Sequence, residues 1–262
     1  MFPKPRKPLS INRMIPNILT LLALCAGLTA LRYGLGGQWE KAMVSVAIAA
    51  LLDGLDGRVA RLLRGTSKFG AELDSLSDFL CFGVTPAVLL YLWTMQSAGA
   101  FGWAAVLVYS VCAALRLARF NTMLEEDMPP PWMKGFFTGL SAPAGAGVAL
   151  LPMMLSLQND PGFFDHPVVV GVFLIGVALL MVSTVPMYSF KTLKLSPKFV
   201  LPMMLTVGLA AAFFVSEPLT TLSVMILAYL VSIPFAYRSC ARLRAKMLAE
   251  EHNAPPPAAP VA

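Results

Sequence analysis

The chain has 262 residues, of which 57% are hydrophobic and only 13% charged, against about 25% charged in a typical soluble domain. With a mean hydropathy of +0.71, this excludes an ordinary soluble enzyme and points to a polytopic membrane protein. The net charge is +6, but the positive residues fall at the ends of apolar runs, as in loops facing anionic lipid, which argues against a nucleic-acid partner.

In chain order, residues 1–14 form a basic arm carrying Lys4, Arg6, Lys7 and Arg13. The arm runs straight into an apolar segment with no small-residue cleavage site, so a first span is expected rather than a removed signal peptide. Apolar runs long enough to cross a bilayer fall at roughly 15–36, 41–63, 73–95, 101–120, 136–157, 167–187, 199–216 and 218–237. Arg58, Arg61, Arg64 and Lys68 follow the second run. Arg116, Arg119 and Lys134 flank the linker after the fourth, and Lys191, Lys194 and Lys198 follow the sixth. Arg238, Arg242, Arg244 and Lys246 follow the eighth. The intervening loops 96–100, 158–166 and 216–218 carry no Lys or Arg; Arg32 and Lys41 are the exceptions to the alternation. The positive-inside rule therefore predicts an all-α membrane bundle of about eight transmembrane helices with both termini cytoplasmic. Residues 15–246 read as one membrane domain, and 247–262 as a disordered Pro/Ala-rich tail. The linker Glu125–Pro131 is too polar and proline-rich for a helix. No repeat of fixed period is visible, which weighs against an inverted-repeat transporter. Cys25, Cys81, Cys112 and Cys240 form no CxxC pair and read as small hydrophobes, and His166 and His252 fall in a loop and in the tail. Histidine base chemistry and a His-rich zinc site are not expected.

The second and third runs contain four carboxylates. Asp53 and Asp56 are three residues apart on one predicted helix, and Asp74 and Asp78 four apart on the next, so each pair shares a face. The short connector Leu62–Phe69 makes the two helices expected antiparallel neighbours, converging all four acids near their cytoplasmic ends. An ionisable residue inside a membrane segment is costly and marks function by default. Clustered carboxylates repel unless cations join them, and hard oxygen ligands suit Mg²⁺, Mn²⁺ or Ca²⁺ rather than zinc. Two such ions could clamp a phosphate and activate an attacking oxygen. Gly57 and Gly70 would let a phosphate or nucleotide approach the backbone, Ala60 keeps the same surface low, and Arg61 can neutralise phosphate oxygens.

The pattern D-x2-D-G-x2-A-R-x8-G-x3-D-x3-D over residues 53–78 resembles the signature of the CDP-alcohol phosphotransferases at every fixed position. At roughly 7% per residue type, eight fixed positions coincide by chance on the order of once in 10⁹ starts. The resemblance implies that Asp53, Asp56 and Asp74 hold two divalent metals, Mg²⁺ or Mn²⁺. It implies that Asp78 is the general base, possibly touching a metal as well, and that Gly57, Ala60, Arg61 and Gly70 line the CDP-lipid site. Asn17 and Thr20 resemble the family's shorter first-helix motif facing the same site. A homodimer is implied as well, while the apolar runs and the Lys/Arg alternation lead to the expectation of a location in the cell (cytoplasmic or inner) membrane with the active site facing the cytoplasm.

Family members differ in the acceptor alcohol. Asp74–Asp78 with Phe82–Ala87, Arg116–Asn121, Phe137–Ala144 and Tyr188–Lys191 resemble the integral-membrane phosphatidylserine synthase branch, except that Ser141 stands where that branch usually has proline. On that resemblance the substrates are CDP-diacylglycerol and serine. Arg116, Arg119 and Lys191 would supply cations for the acceptor carboxylate, and Asn121 and Tyr188 hydrogen bonds. The same cations would also suit a positive-inside anchor or glycerol 3-phosphate, so a sister enzyme using glycerol 3-phosphate, choline or inositol phosphate stays open. A carboxylate-based cation transporter is the more distant alternative. The methionine pairs Met153–Met154 and Met203–Met204 read as packing, and the small residues Gly139, Ala142, Ala144, Gly145 and Gly147 as sites of close helix approach.

Overall fold

The computed structural model describes residues 11–63, 65–125, 136–159, 162–188 and 200–252. Helix α1 spans Ile11–Leu35 and α2 spans Trp39–Leu62. A continuous rod follows, made of α3 (Lys68–Asp78), a widened turn at Phe79–Val84, and α4 (Thr85–Trp93). Beyond a 3₁₀ turn at Met95–Ala98 comes α5 (Ala100–Glu125). Helices α6 (Ala142–Gln158) and α7 (Pro167–Val182) are joined through a 3₁₀ turn at Phe163–Asp165. Helices α8 (Val200–Ser216) and α9 (Pro218–His252) complete the described chain.

The predicted all-α class holds, with one addition. Strand β1 (Phe136–Thr138) pairs antiparallel with β2 (Pro186–Tyr188), matching Phe137 to Met187. Two expected spans are trimmed by this ribbon. The fifth begins at Ala142 rather than 136 because Gly139, at φ +74°, turns the chain before Pro143 opens the helix. The sixth ends at Val182, before Pro186. Helix α9 runs to His252, past the expected domain boundary at Lys246. The arm's first ten residues and the Pro/Ala stretch 253–262 lie outside the described residues.

Among the described residues, four helical segments are long and apolar enough to cross a membrane: Met14–Leu35, Lys68–Trp93, Ala100–Thr122 and Pro218–Leu243. The apolar helices within Ala142–Gln158, Pro167–Val182 and Leu201–Ser216 are shorter. Helix α2 has the length, but it carries Glu40, Lys41, Asp53, Asp56, Arg58 and Arg61.

The widened turn has a local cause. Pro86 has no N–H for the carbonyl four residues back, and its ring would crowd that carbonyl. The rod answers by opening to a π-type turn in which the Thr85 N–H reaches back to Leu80 O. The carbonyls at the bend are then taken up by α5, where Tyr109 donates to Phe82 O at 2.9 Å and Ser110 to Gly83 O at 3.2 Å. Gly83 permits this docking, because a Cβ there would stand 3.1 Å from that of Ala113.

The main core collects α4 to α7 around Leu89, Leu90, Tyr109, Leu150, Met153, Leu174 and Met181, all fully buried. A second, smaller apolar cluster of Ala49, Cys81, Phe82, Leu117, Ala142 and Ala146 joins α2, the widened turn, α5 and α6. Ala49 is one helical turn before Asp53, and Cys81 and Phe82 one turn after Asp78. This cluster forms an apolar floor next to the carboxylates.

Candidate active site

Helix α1 is the element that brings the acids together, since it packs along both α2 and α3. The expectation of α2 and α3 as direct neighbours missed this intermediary. Thr20, on α1, is the junction. Its hydroxyl donates to Asp56 Oδ2 at 2.6 Å, while its carbonyl accepts from Ser77 of α3 at 3.3 Å. One turn further along, Cys81 reaches Ala23 O at 3.4 Å, where Gly27 leaves room for the sulfur. Asp56 is thereby pinned and only 4% exposed.

Oxygens of Asp53, Asp56 and Asp74 all lie within 4.8 Å of one another. That span is comparable to the width of the oxygen cage around a hard divalent cation, roughly 4–5 Å across. Asp78 lies within hydrogen-bond distance of Asp53. Two carboxylates in such contact need a proton or a cation between them. Asp74 Oδ1 and Asp78 Oδ1 are buried with no hydrogen-bond partner among the described residues. Buried acceptors are ordinarily satisfied, so both the oxygen donor set and its orphaned atoms fit a divalent metal.

Beside the acids, a cavity of about 190 Å³ opens between α1, α2 and the start of α3. Asn17, Thr20, Gly57, Ala60 and Gly70 all line it, together with Asp56 and Asp74. A Cβ on Gly57 would meet nothing within 4 Å, so that glycine faces open space. Gly70 is different, because its Cβ would stand 2.7 Å from Asn17 Oδ1, and its absence lets α3 start close against α1. The far wall is the connector Gly65–Ser67. There the Gly65 N–H folds back to Ala60 O, and the Ser67 side chain caps α3 by accepting from the Gly70 N–H at 3.0 Å. Ser67 and Ser77 escaped the sequence reading, although a serine three residues before a predicted helical glycine is a readable cap signal. Arg61 does not line the cavity. It is exposed, and its Nε donates to Gly57 O at 3.0 Å.

The expected acceptor residues separate. Arg116, half-buried on α5, lies within electrostatic range of Asp78, and its Nε is buried without a hydrogen-bond partner among the described residues. Asn121 donates to Ser75 Oγ at 2.9 Å and so ties α5 to the aspartate helix. Arg119 instead donates to the carbonyls of Val182 at 2.8 Å and Ser183 at 3.2 Å, closing the C-terminal end of α7. The acceptor role expected for Arg119 therefore gives way to helix capping. Tyr188 pairs through its backbone with Phe136 in the ribbon, and Lys191 lies outside the described residues. Arg119→Ala is expected to lower stability by about 2 kcal/mol, the value of hydrogen bonds from a charged donor. Thermal unfolding in detergent measures the loss, and the acceptor KM should stay within about twofold.

A family model described as CDP-alcohol phosphatidyltransferase matches residues 13–187, and one described as CDP-alcohol phosphatidyltransferase 2 matches residues 198–234. The chain is 40% identical over 240 residues to a Mycobacterium tuberculosis protein named CDP-diacylglycerol–serine O-phosphatidyltransferase, covering 91% of this chain and 84% of that one. A Helicobacter pylori protein of the same name is 33% identical over 227 residues, covering 86% and 91% of the two chains. An archaetidylserine synthase of Methanothermobacter thermautotrophicus is 31% identical over 176 residues, covering 65% of this chain and 68% of that one.

Proposed function

The chain belongs to the CDP-alcohol phosphatidyltransferase family, and on that premise we propose that it makes phosphatidylserine from CDP-diacylglycerol and serine. The observation that carries this is the cavity itself. Its wall of Gly57, Ala60 and Gly70 stands beside Asp56 and Asp74, giving a phosphate-sized recess next to a hard-cation site. The similarity to serine-using relatives over 91% of the chain supports serine as the acceptor.

The lipid tails remain in the bilayer while the cytidine diphosphate enters the cavity against Asn17, Thr20, Gly57, Ala60 and Gly70. Arg61, at the exposed rim, can swing from its own helix to the phosphates. Asp53, Asp56 and Asp74, with Asp78 beside them, would hold two Mg²⁺ or Mn²⁺ ions, which when bound neutralise the diphosphate and favour departure of CMP. Asp78 accepts the proton of the serine hydroxyl. The hydroxyl oxygen bonds to the β-phosphorus as the bond from that phosphorus to the bridging oxygen breaks, and CMP leaves with the bridging oxygen. Positioning of the hydroxyl against a fixed diphosphate supplies much of the rate. Arg116 and Asn121 are proposed to flank the acceptor, while Tyr188 and Lys191 stay acceptor candidates on the sequence resemblance alone.

We further propose eight membrane-crossing segments in the cell (inner) membrane, both termini and the active site cytoplasmic, and a homodimer. The alternation of Lys and Arg along the chain supports the orientation. A cation transporter has no use for a glycine-walled recess between its acids.

Incubating the purified protein with CDP-diacylglycerol, Mn²⁺ or Mg²⁺, and an equimolar mixture of serine, glycerol 3-phosphate, choline and inositol phosphate separates the acceptors. Phosphatidylserine and equimolar CMP are expected. A different phospholipid as the main product would reassign the acceptor, and absence of CMP release would remove the reaction class.

A further inference from the structure

A second cavity, of about 230 Å³, lies between α2, α6 and α9. Among its described lining residues, Tyr229 alone carries a side-chain oxygen or nitrogen. Water needs several polar partners to settle in such a space, and an empty apolar void forfeits dispersion contacts along its walls. Hydrocarbon is the filler that suits it. The cavity is a slot: its wall runs from Met43 to Ala50 on α2 and from Pro143 to Met154 on α6. At about 1.5 Å of rise per residue these stretches measure roughly 10 and 16 Å. Small residues make the bore, Ala47 and Ala50 on one wall and Ala144 and Gly147 on the other. At Gly147 a Cβ would stand 3.3 Å from Ile226 Cδ1 of α9. One end of the slot points at the carboxylates. Asp53 is three residues beyond Ala50 and beside it on the surface of α2. On α6, Ala142 and Ala146 flank Pro143 and Ala144 and belong to the apolar cluster next to the acids. Gln158, at the other end of α6, donates to Ser223 Oγ near the start of α9 at 2.8 Å, so α9 runs back antiparallel and carries Tyr229 toward the acid end. Met225, on the same wall, is 57% exposed, so the slot opens sideways on a helix apolar enough to cross a membrane.

We propose that this slot takes one acyl chain of the CDP-linked lipid substrate, admitted past Met225 and lying along α2 with its head end beside Asp53. This rests on the phosphatidyl-transfer reading above and refines where one of the two tails lies. The turn from Ala50 to Asp53 leaves room for the glycerol and ester between the chain and the diphosphate. The slot length then holds roughly eight to twelve methylenes at about 1.3 Å each. Nucleotide cavity and slot flank α2 with Asp53 between them, so the scissile diphosphate is fixed from both sides. The bilayer is as apolar as the slot, so its contribution is fit rather than transfer from water. Selection of chain length and branching follows from that fit. The α9 wall belongs to the stretch 198–234, matched separately from the 13–187 segment that carries the aspartate motif.

The test compares CDP-dioleoylglycerol with CDP-dibutyrylglycerol, whose chains end before the middle of the slot, in the full-length protein and in Ala47→Leu. The added carbons obstruct the slot at mid-length. The variant is expected to raise the KM for the dioleoyl lipid about tenfold, a typical cost of overfilling a packed apolar site. The KM for the dibutyryl lipid and for serine should stay within about twofold. A dioleoyl KM within twofold of wild type overturns the proposal, as does an equal rise for both lipids. A second measurement needs no variant. CDP-diacylglycerol with a diazirine midway along one chain is photolysed on the resting wild type, and the crosslinks are read by mass spectrometry. Labels on Met43, Gly147 or Ile226 that excess CDP-dioleoylglycerol removes and phosphatidylcholine does not are expected. Labels confined to outward residues of α8 such as Leu205 and Val215 overturn the proposal, and so does equal competition by phosphatidylcholine, which would make the slot a site for bulk lipid. A wild type that releases no CMP from either lipid overturns the transfer reading itself, whereas the crosslinks report the slot without turnover.

Discussion

Asp78→Asn is expected to bind CDP-diacylglycerol and divalent cation about as the wild type does, and to lose phosphatidyl transfer by 10²–10⁴-fold, the usual contribution of a positioned general base. The substitution keeps shape and hydrogen-bonding capacity but removes the group that takes the proton. The three oxygens that approach within 4.8 Å come from Asp53, Asp56 and Asp74, so three carboxylates of the cation site remain when residue 78 is changed. Asp78 sits apart from them in one respect: it is the last residue of α3, at the edge of the widened turn and within range of Arg116. Single-turnover CMP release measures the loss, and Mn²⁺-dependent CDP binding by calorimetry serves as the control. Turnover within tenfold of wild type would remove Asp78 from the role of base.

Asp56→Asn should give the reverse pattern, losing metal-dependent CDP binding outright. Asp56 is the most buried of the four acids, and the Thr20 hydroxyl fixes its orientation at 2.6 Å. An asparagine there offers one neutral oxygen in place of a carboxylate, and its amide nitrogen can turn toward the cation site. Groups that merely orient a metal ligand typically change affinity 10–100-fold, so a ligand should exceed that. Calorimetric titration of CDP in the presence and absence of Mn²⁺ reads the effect directly. Undiminished Mn²⁺ dependence would take Asp56 out of the ligand set.

Much of this site was legible because its information is local. Asp53 with Asp56, and Asp74 with Asp78, declare shared faces by spacing alone, and Gly57, Ala60 and Gly70 declare low relief between them. Asn17 and Thr20 reached the same cavity by motif. What escaped depends on contacts distant in sequence. Nothing near Arg119 announces that its partners are carbonyls at Val182 and Ser183, so in the sequence it looks like Arg116, whose buried Nε has no hydrogen-bond partner among the described residues. The pairing of Phe136–Thr138 with Pro186–Tyr188 joins two short segments that each continue an apolar helical run, and their three-residue strands are too brief for a period-two pattern. The role of α1 as the bridge between α2 and α3 was hidden because Thr20 is a hydroxyl in an apolar run, and only its distant partner gives it meaning.

The widened turn at Phe79–Val84 has a geometric consequence for the whole third rod. A π-type turn accommodates about one residue more than the α-helical path it replaces, and one residue is a rotation of roughly 100° about the axis. The half carrying Asp74 and Asp78 and the half carrying Leu89 and Leu90 therefore run out of phase. No single straight stripe along Lys68–Trp93 can describe both. The acids are aimed by one angular setting and the core leucines by another, with Pro86 as the gear between them. The chemistry can be oriented toward α1 and α2 without turning the apolar half of the same helix away from its packing partners.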